Sequence, residues 1–241
     1  MSDNIYKQQA AEGALDMVAS GMRLGLGSGS TSMYMVQGLA ARLHNGRLHD
    51  IAGVPTSELI AKMAQELGIP LLTLEQAPQL DMAIDGADEI DPQLNLIKGL
   101  GGAMLREKIV AASARQFVII AGSNKYVTLL GQHCPVPVEV ITFGLPLCTQ
   151  RLSALGARPV LRRISNGETF ITDEGNVILD CHFESIPDPA ALSTAIKNIP
   201  GVAGHGLFVG IASCAVIAGP EGIRVLRVGD RVTGGMLNVE C

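Results

Sequence analysis

LDMAIDGADEIDPQLNLIKGLGGAMLREK, residues 80–108, decides how the chain is read. Its first five residues, LDMAI, are apolar apart from Asp81 and have the length of a short buried strand, which puts Asp85 at that strand's C-terminal end. Open α/β sheets bind ligands just outside the carboxyl ends of their strands, so this is where a site is expected. Four carboxylates follow in DGADEID (Asp85, Asp88, Glu89, Asp91). Lys98 follows, then Gly99, Gly101 and Gly102, then the charged turn Arg106, Glu107, Lys108. An acidic loop is ordinarily only solvated, and glycines ordinarily only permit a turn. Acid, lysine and glycine gathered in one segment fit that ordinary reading poorly.

Working outward, residues 3–19 read as a helix ended by Gly21, with Lys7 in its second turn and solvated by default. A strand at 23–26 leads into the turn GLGSGST, residues 25–31, and a helix to about residue 44. This strand–turn–helix layout sets backbone N–H groups and the hydroxyls of Ser28, Ser30 and Thr31 at a helix N-terminus. Orphan N–H donors and the helix dipole there suit a phosphate. No lysine follows in the Walker A position. Ser30 and Ser32 stand where the two possible dinucleotide fingerprints need glycine. The alternative is a tight turn with a serine N-cap and no ligand.

Strands are then expected at 50–54, 69–74, 80–84 and 116–121, with helices ending at Leu67 and covering 103–115. This alternation argues for an α/β fold with a doubly wound, mostly parallel, Rossmann-like sheet. The pattern changes after Cys134. The segment PVPVEVI reads as an edge strand because of its prolines. Next come a helix at 145–155, a strand at 157–163 and a hairpin turning at 173–176. A helix opened by Asp188 and Pro189 runs to about residue 198, and a strand covers 201–208. The block resembles a small ferredoxin-like α+β domain. Two strands, SCAVIAG and GIRVLRV, then rejoin the first unit. The expected division is residues 1–134 with 209–241 as the Rossmann-like catalytic domain and 135–208 as an inserted domain.

With 241 residues, 47% of them hydrophobic, the chain can bury a large core. No apolar run approaches the roughly 18 residues of a membrane span. The polar N-terminus lacks a secretory pattern, so a cytoplasmic protein is expected. A net charge of -5 gives no electrostatic case for nucleic acid or an anionic membrane, so an anionic ligand needs a local site. Five cysteines, an odd number without CxxC spacing, read as reduced thiols. The histidines show no ligand spacing, and no metal site is expected.

GLGSGST (25–31), VPTS (54–57), DGADEID (85–91), KGLGGAMLREK (98–108) and Lys125 together resemble ribose-5-phosphate isomerase of the A type, over nearly the whole chain. The resemblance implies interconversion of D-ribose 5-phosphate and D-ribulose 5-phosphate in the non-oxidative pentose phosphate pathway. It implies a phosphosugar as the only ligand, neither metal nor cofactor, and a homodimer or dimer of dimers. Substrate-binding positions would be Ser28, Gly29, Ser30 and Thr31, then Asp85, Gly86, Ala87 and Asp88, then Lys98, Gly99, Leu100 and Gly101. Lys7 and Lys125 would lie on the phosphate side. Glu107 would be the base, moving a proton between C2 and C1 of a cis-enediolate whose charge Lys98 and the glycine N–H groups hold. Taken alone, Glu107 between two cations could be an ordinary surface residue. Asp85 is expected to move the ring-opening proton, and Asp88 to bind hydroxyls or orient Lys98.

Two positions depart from the family pattern: Leu100 replaces a frequent glycine, and Gly122 replaces the usual acid before a serine. The tail 228–241 is longer than expected and has no functional reading. One alternative is a non-catalytic sugar-phosphate-sensing domain, which would need no base at Glu107. A nucleotide-dependent enzyme and a CoA-transferase-like enzyme with a glutamate nucleophile are the others.

Overall fold

The structure is a computed structural model that describes residues 2–228 and Asp230. The tail reading therefore falls outside the described residues, apart from its first residue and Asp230. The central sheet has six strands: β1 (Arg23–Leu26), β2 (Ala52–Pro55), β3 (Leu80–Gly86), β6 (Ala114–Gly122), β12 (Cys214–Gly219) and β13 (Gly222–Arg227). From one edge its order is β2-β1-β3-β6-β12-β13, parallel except for β13. Helices α1 (Ser2–Leu15), α2 (Ser30–His44) and α3 (Glu58–Glu66) cover one face, and α4 (Met104–Ala112) lies on the other.

Alternation along the strands builds two cores. In β6, Val118 and Ile120 face the α1–α2 side, while Phe117, Ile119 and Ala121 face the other. In β12, Val216 and Ala218 are divided from Ala215 and Ile217 in the same way. Side chains of successive strand residues point to opposite faces, and a sheet covered on both faces needs apolar residues at every position. That requirement is why QFVIIA shows no polar alternation. The winding direction reverses between β1 and β3, and at such a switch point the loops leaving both strands open a crevice.

A second sheet is wholly antiparallel. It joins β7 (Val136–Val140), β8 (Arg158–Leu161), β9 (Val177–His182) and β10 (Val202–His205) in the order β10-β7-β9-β8. With α5 (Leu145–Ala154) and α6 (Pro189–Lys197), this is the ferredoxin-like arrangement. Val136, Val138 and Val140 pack with Leu179, Cys148, Leu152 and Ile196 in a core of their own. Between the two sheets, β4 (Glu89–Ile90), β5 (Leu96–Ile97) and β11 (Leu207–Phe208) form a short three-stranded sheet that delivers Lys98. Among the described residues, no helix is long and apolar enough to cross a membrane.

Several expected boundaries are corrected. The first helix stops at Leu15, its last turn tightening to bonds such as Val18 N–H to Leu15 O. Residues 69–74 form only one bridge, Gly53 to Leu71, because Pro70 has no N–H to extend a ladder. The helix after the glycines ends at Ala112, and Arg115 belongs to β6. The proline-bearing strand β7 is internal, not an edge. Pro137 is tolerated there because β10 pairs only from Val138 onward, and beyond it Pro137 needs only its carbonyl, which accepts from Gly206 N–H. The first arm of the expected hairpin makes only isolated bridges. The expected strand 201–208 breaks at Gly206, where a Cβ would lie 2.1 Å from Lys98 O, and its halves join different sheets.

Candidate active site

The loops at the switch point enclose a cleft of about 150 Å³. From the β1–α2 turn it takes Ser28, Gly29, Ser30 and Thr31; from the end of β3, Gly86, Ala87 and Asp88. Lys98, Gly99, Gly101, Glu107, Lys7 and Lys125 complete the expected set. Asp85 lies one layer beneath, and the side chain of Leu100 turns to solvent, 43% exposed. Two larger hollows exist, of about 300 and 330 Å³. The first is walled by Ile217, Pro220 and Leu226 around the ion pair Glu221–Arg224, and the second has no carboxylate to serve as a base. The smaller, polar cleft is the one that combines carboxylates, Asp88 and Glu107, with the cations Lys7, Lys98 and Lys125.

Its inner end is an ion triad. Lys98 Nζ stands 3.0 Å from Asp85 Oδ2 and 3.2 Å from Glu107 Oε2, and donates its hydrogen bond to Gly86 O at 2.5 Å. The two carboxylates are at ion-pair distance without hydrogen-bond alignment. All three residues are buried, Lys98 and Asp85 at 2% and Glu107 at 5% exposure. Burial pushes the Glu107 carboxyl up, the neighbouring Asp85 charge adds to it, and Lys98 only partly offsets them, leaving it at about 8. Burial also pushes Asp85 up, against Lys98 and its hydrogen bonds. Burial alone would lower Lys98, but the two carboxylates outweigh it and hold it above its ordinary value.

Asp85 Oδ1 accepts from Ser28 N–H, the Ser32 hydroxyl and Gly86 N–H. A Cβ at Gly27 would fall 2.3 Å from the Asp85 carboxyl, so glycine is what lets the β1 turn approach it. Ser32, fully buried, enters the sequence reading only as a fingerprint mismatch; the first turn of α2 is what sets its hydroxyl against Asp85. Of the four clustered acids, Glu89 and Asp91 are structural. Glu89 accepts N–H bonds from Gly131, His133 and Cys134, and Asp91 holds Gln93 and Asn95.

The three residues of Arg106-Glu107-Lys108 diverge around α4. Arg106 reaches Glu58 and the turn at Asp173 and Glu174. Lys108 donates to the carbonyls of His205 and Leu207 at 2.7 and 2.8 Å, with the Phe208 ring 4.7 Å away. Burial and Lys197 push Lys108 down to about 7, while these carbonyls and the ring face favour its ammonium. Glu107, the middle residue, is thus held from both flanks and is not a surface group.

At the outer end, the N-cap of α2 is Gly29, at φ 96, with no side-chain cap. The serine cap of the alternative, ligand-free reading is absent, which leaves first-turn N–H groups without a side-chain cap where Gly29, Ser30 and Thr31 line the cleft. The Ser28 hydroxyl instead bonds Thr56 and Ser57 at 2.7 Å each, which gives the VPTS segment its place. Lys7 pairs with Asp3 at 2.8 Å, and its ammonium holds the Asp3 carboxyl below the usual range. Asp3 Oδ1 also lies 3.7 Å from where a Cβ on Gly122 would be, so a carboxylate stands beside position 122 after all, supplied by α1. Asp3 and Asn124 are cleft residues that the sequence reading missed. Leu100 fits because its φ is not in the left-handed region, whereas Gly99 and Gly102, at φ 106 and 88, are.

Residues 52–222 match the family ribose 5-phosphate isomerase A (phosphoriboisomerase A). A ribose-5-phosphate isomerase A from Roseiflexus castenholzii is 63% identical over 230 residues, covering 95% of this chain and 98% of its own. A solved D-ribose-5-phosphate isomerase in complex with phospho-erythronic acid is similar with a TM-score of 0.92 and 39% identity, over 94% of this chain and 100% of that one. The ribose 5-phosphate isomerase of Plasmodium falciparum gives 0.90 and 40%, with the same coverage.

Proposed function

The chain belongs to the ribose 5-phosphate isomerase A family and is a ribose-5-phosphate isomerase, and from that premise we propose a mechanism built on Glu107. D-ribose 5-phosphate and D-ribulose 5-phosphate interconvert through a cis-enediolate, the Glu107 carboxylate taking the proton from C2 and returning it to C1. The observation that carries this reading is the buried Glu107 carboxyl facing Lys98 at the wall of a cleft whose other end offers anion donors. A carboxyl raised to about 8 is a base matched to neutral pH. Lys98 and the Gly101 N–H of the loop 99–102, whose Leu100 and Gly102 N–H groups are held by Asp88 and Gly99 O, stabilise the oxygen that becomes negative as C2 loses its proton. The uncapped N-terminus of α2, Ser30, Thr31, Lys7 and Lys125 take the phosphate.

For the two aspartates, burial supports a division different from the expected one. Asp88 lines the cleft and is the aspartate that touches the sugar hydroxyls, including those exchanged on ring opening. Asp85, beneath it, orients Lys98 and acts through that ammonium. Residues 1–134 with 209–241 serve as the catalytic domain and 135–208 as the inserted domain, whose core also takes in Ile97, Val127 and Leu130 of the first. The setting is the pentose phosphate pathway of the cytoplasm, with the enzyme a homodimer or dimer of dimers.

The test is conversion of ribose 5-phosphate by purified protein in EDTA, with unphosphorylated ribose as the control. Turnover of the phosphorylated sugar alone is expected. No turnover, with ribose 5-phosphate still raising Tm, would make the protein a sensor. Turnover lost only in EDTA would reveal a metal in the mechanism.

A further inference from the structure

The loop 99–102 is not held by its own domain alone. Arg162, just past β8 in the second sheet, sends its guanidinium to the carbonyls of Gly99 at 2.9 Å and Leu100 at 3.0 Å. Asp180 of β9 fixes the guanidinium from behind with two bonds, to Nε and Nη2. The Arg162 side chain is 11% exposed and lies 5.7 Å from the centre of the Phe170 ring. Phe170 in turn touches the loop: a Cβ on Gly102 would lie 2.4 Å from its ring. A carbonyl and the N–H of the next residue point in opposite directions across one rigid peptide plane. Drawing two consecutive carbonyls toward Arg162 therefore turns the N–H groups of Leu100 and Gly101 the other way. Leu100 N–H meets Asp88 Oδ2 at 3.0 Å. Gly101 N–H has no protein acceptor among the described residues, and Gly101 lines the cleft.

We propose that Arg162, braced by Asp180, is a positioning residue for the isomerisation: it sets the peptide planes of the loop 99–102 so that the Gly101 N–H faces the developing enediolate oxygen. A guanidinium suits the task because its planar fork can hold two carbonyls and a carboxylate at once, which an ammonium cannot. The inference rests on the reading of that loop as the oxyanion-stabilising element.

The experiment compares wild type with Arg162→Ala and Arg162→Lys for kcat, KM, and inhibition by phospho-erythronate and by inorganic phosphate. Phospho-erythronate carries a carboxylate where the substrate has its reacting carbons; inorganic phosphate probes only the outer end. Removing one oxyanion donor outright costs about 10²–10³ in kcat, so a misaimed one is expected to cost about 10- to 100-fold in Arg162→Ala. KM and phosphate inhibition should stay near wild type, phospho-erythronate should weaken, and Arg162→Lys should recover only part of kcat. A folded Arg162→Ala protein with wild-type kcat, or with a loss confined to KM, overturns the role of Arg162 and leaves the loop's role standing. A loss of kcat with phospho-erythronate affinity unchanged overturns the oxyanion reading along with it. Should Arg162→Ala fail to fold, Asp180→Asn, which frees the guanidinium without removing it, is scored on the same four readouts.

Discussion

The two ends of the cleft are built on opposite principles. The outer end spreads its attraction over exposed Ser30, half-buried Thr31, Lys7 and Lys125, and the first-turn N–H groups of α2. The inner end concentrates three charges on residues no more than 5% exposed, with both carboxylates within 3.2 Å of the Lys98 ammonium. Exposed charges are screened, and each contributes little. A buried pair that loses one partner leaves a desolvated charge behind and costs far more. Binding should therefore degrade by steps when the outer end is altered, whereas proton transfer should fail outright when the inner end is.

The hardest strike on that contrast is Glu107→Gln, which keeps the shape and removes the base. Turnover should drop by about 10²–10⁴ with KM little changed. The fold should persist, because the substitution removes a carboxyl whose charge burial disfavours. Near-normal kcat would show that the proton travels by another group.

Next in size is Lys98→Met, which leaves Asp85 and Glu107 facing each other without a cation. Unfolding free energy should fall by about 3–5 kcal/mol at neutral pH. The carboxyls' folded pKa values would then stand further above their unfolded ones. Stability from such groups is present at low pH and lost as pH rises, so the deficit should shrink at pH 5. Denaturation curves showing equal deficits at both pH values would mean that the lysine acts by packing alone.

A gentler test is the pH profile. With the Glu107 carboxyl at about 8, the base form appears only as pH climbs through that value. The acid limb of kcat/KM should lie there, clear of the substrate phosphate, whose second ionisation is near 6. Asp85→Asn removes the like charge and should move the limb to lower pH. A limb in the ordinary glutamate range, near about 4.3, would show that substrate-free Glu107 is not desolvated as the geometry indicates.

The parallel sheet was legible because burial on both faces leaves unbroken apolar runs such as QFVIIA, and because Gly21 and Gly68 mark turns. The proline strand misled because edge position is a matter of which ladder bonds a neighbour needs. A partner starting at Val138 cannot be seen in PVPVEVI. In the site, residues carried by local motifs were found. Ser32 and Asp3 were not, since they matter only because α2 and α1 bring them against Asp85 and Gly122. Glu89 and Asp91 show the same limit from the other side: four acids in seven residues look alike until their backbone partners are known.

The smallest effects belong to the outer end, and their smallness is the point. Ser30→Ala, Thr31→Ala and Lys125→Ala should each raise KM by about 1.5- to 5-fold and leave kcat alone, the size of single screened contacts. The Lys125 increment should fade as salt is added. Ser28→Ala should behave differently, because its hydroxyl is committed to Thr56 and Ser57 and its N–H to Asp85. That change should lower Tm more than it raises KM, since it unties a partly buried hydroxyl cluster between β1 and α3. An unchanged KM in all four would move the phosphate elsewhere. A collapse of kcat in Ser30→Ala or Thr31→Ala would mean that the two ends are one rigid unit, coupled through Gly29 and Ser32, and that the contrast between them is only one of exposure.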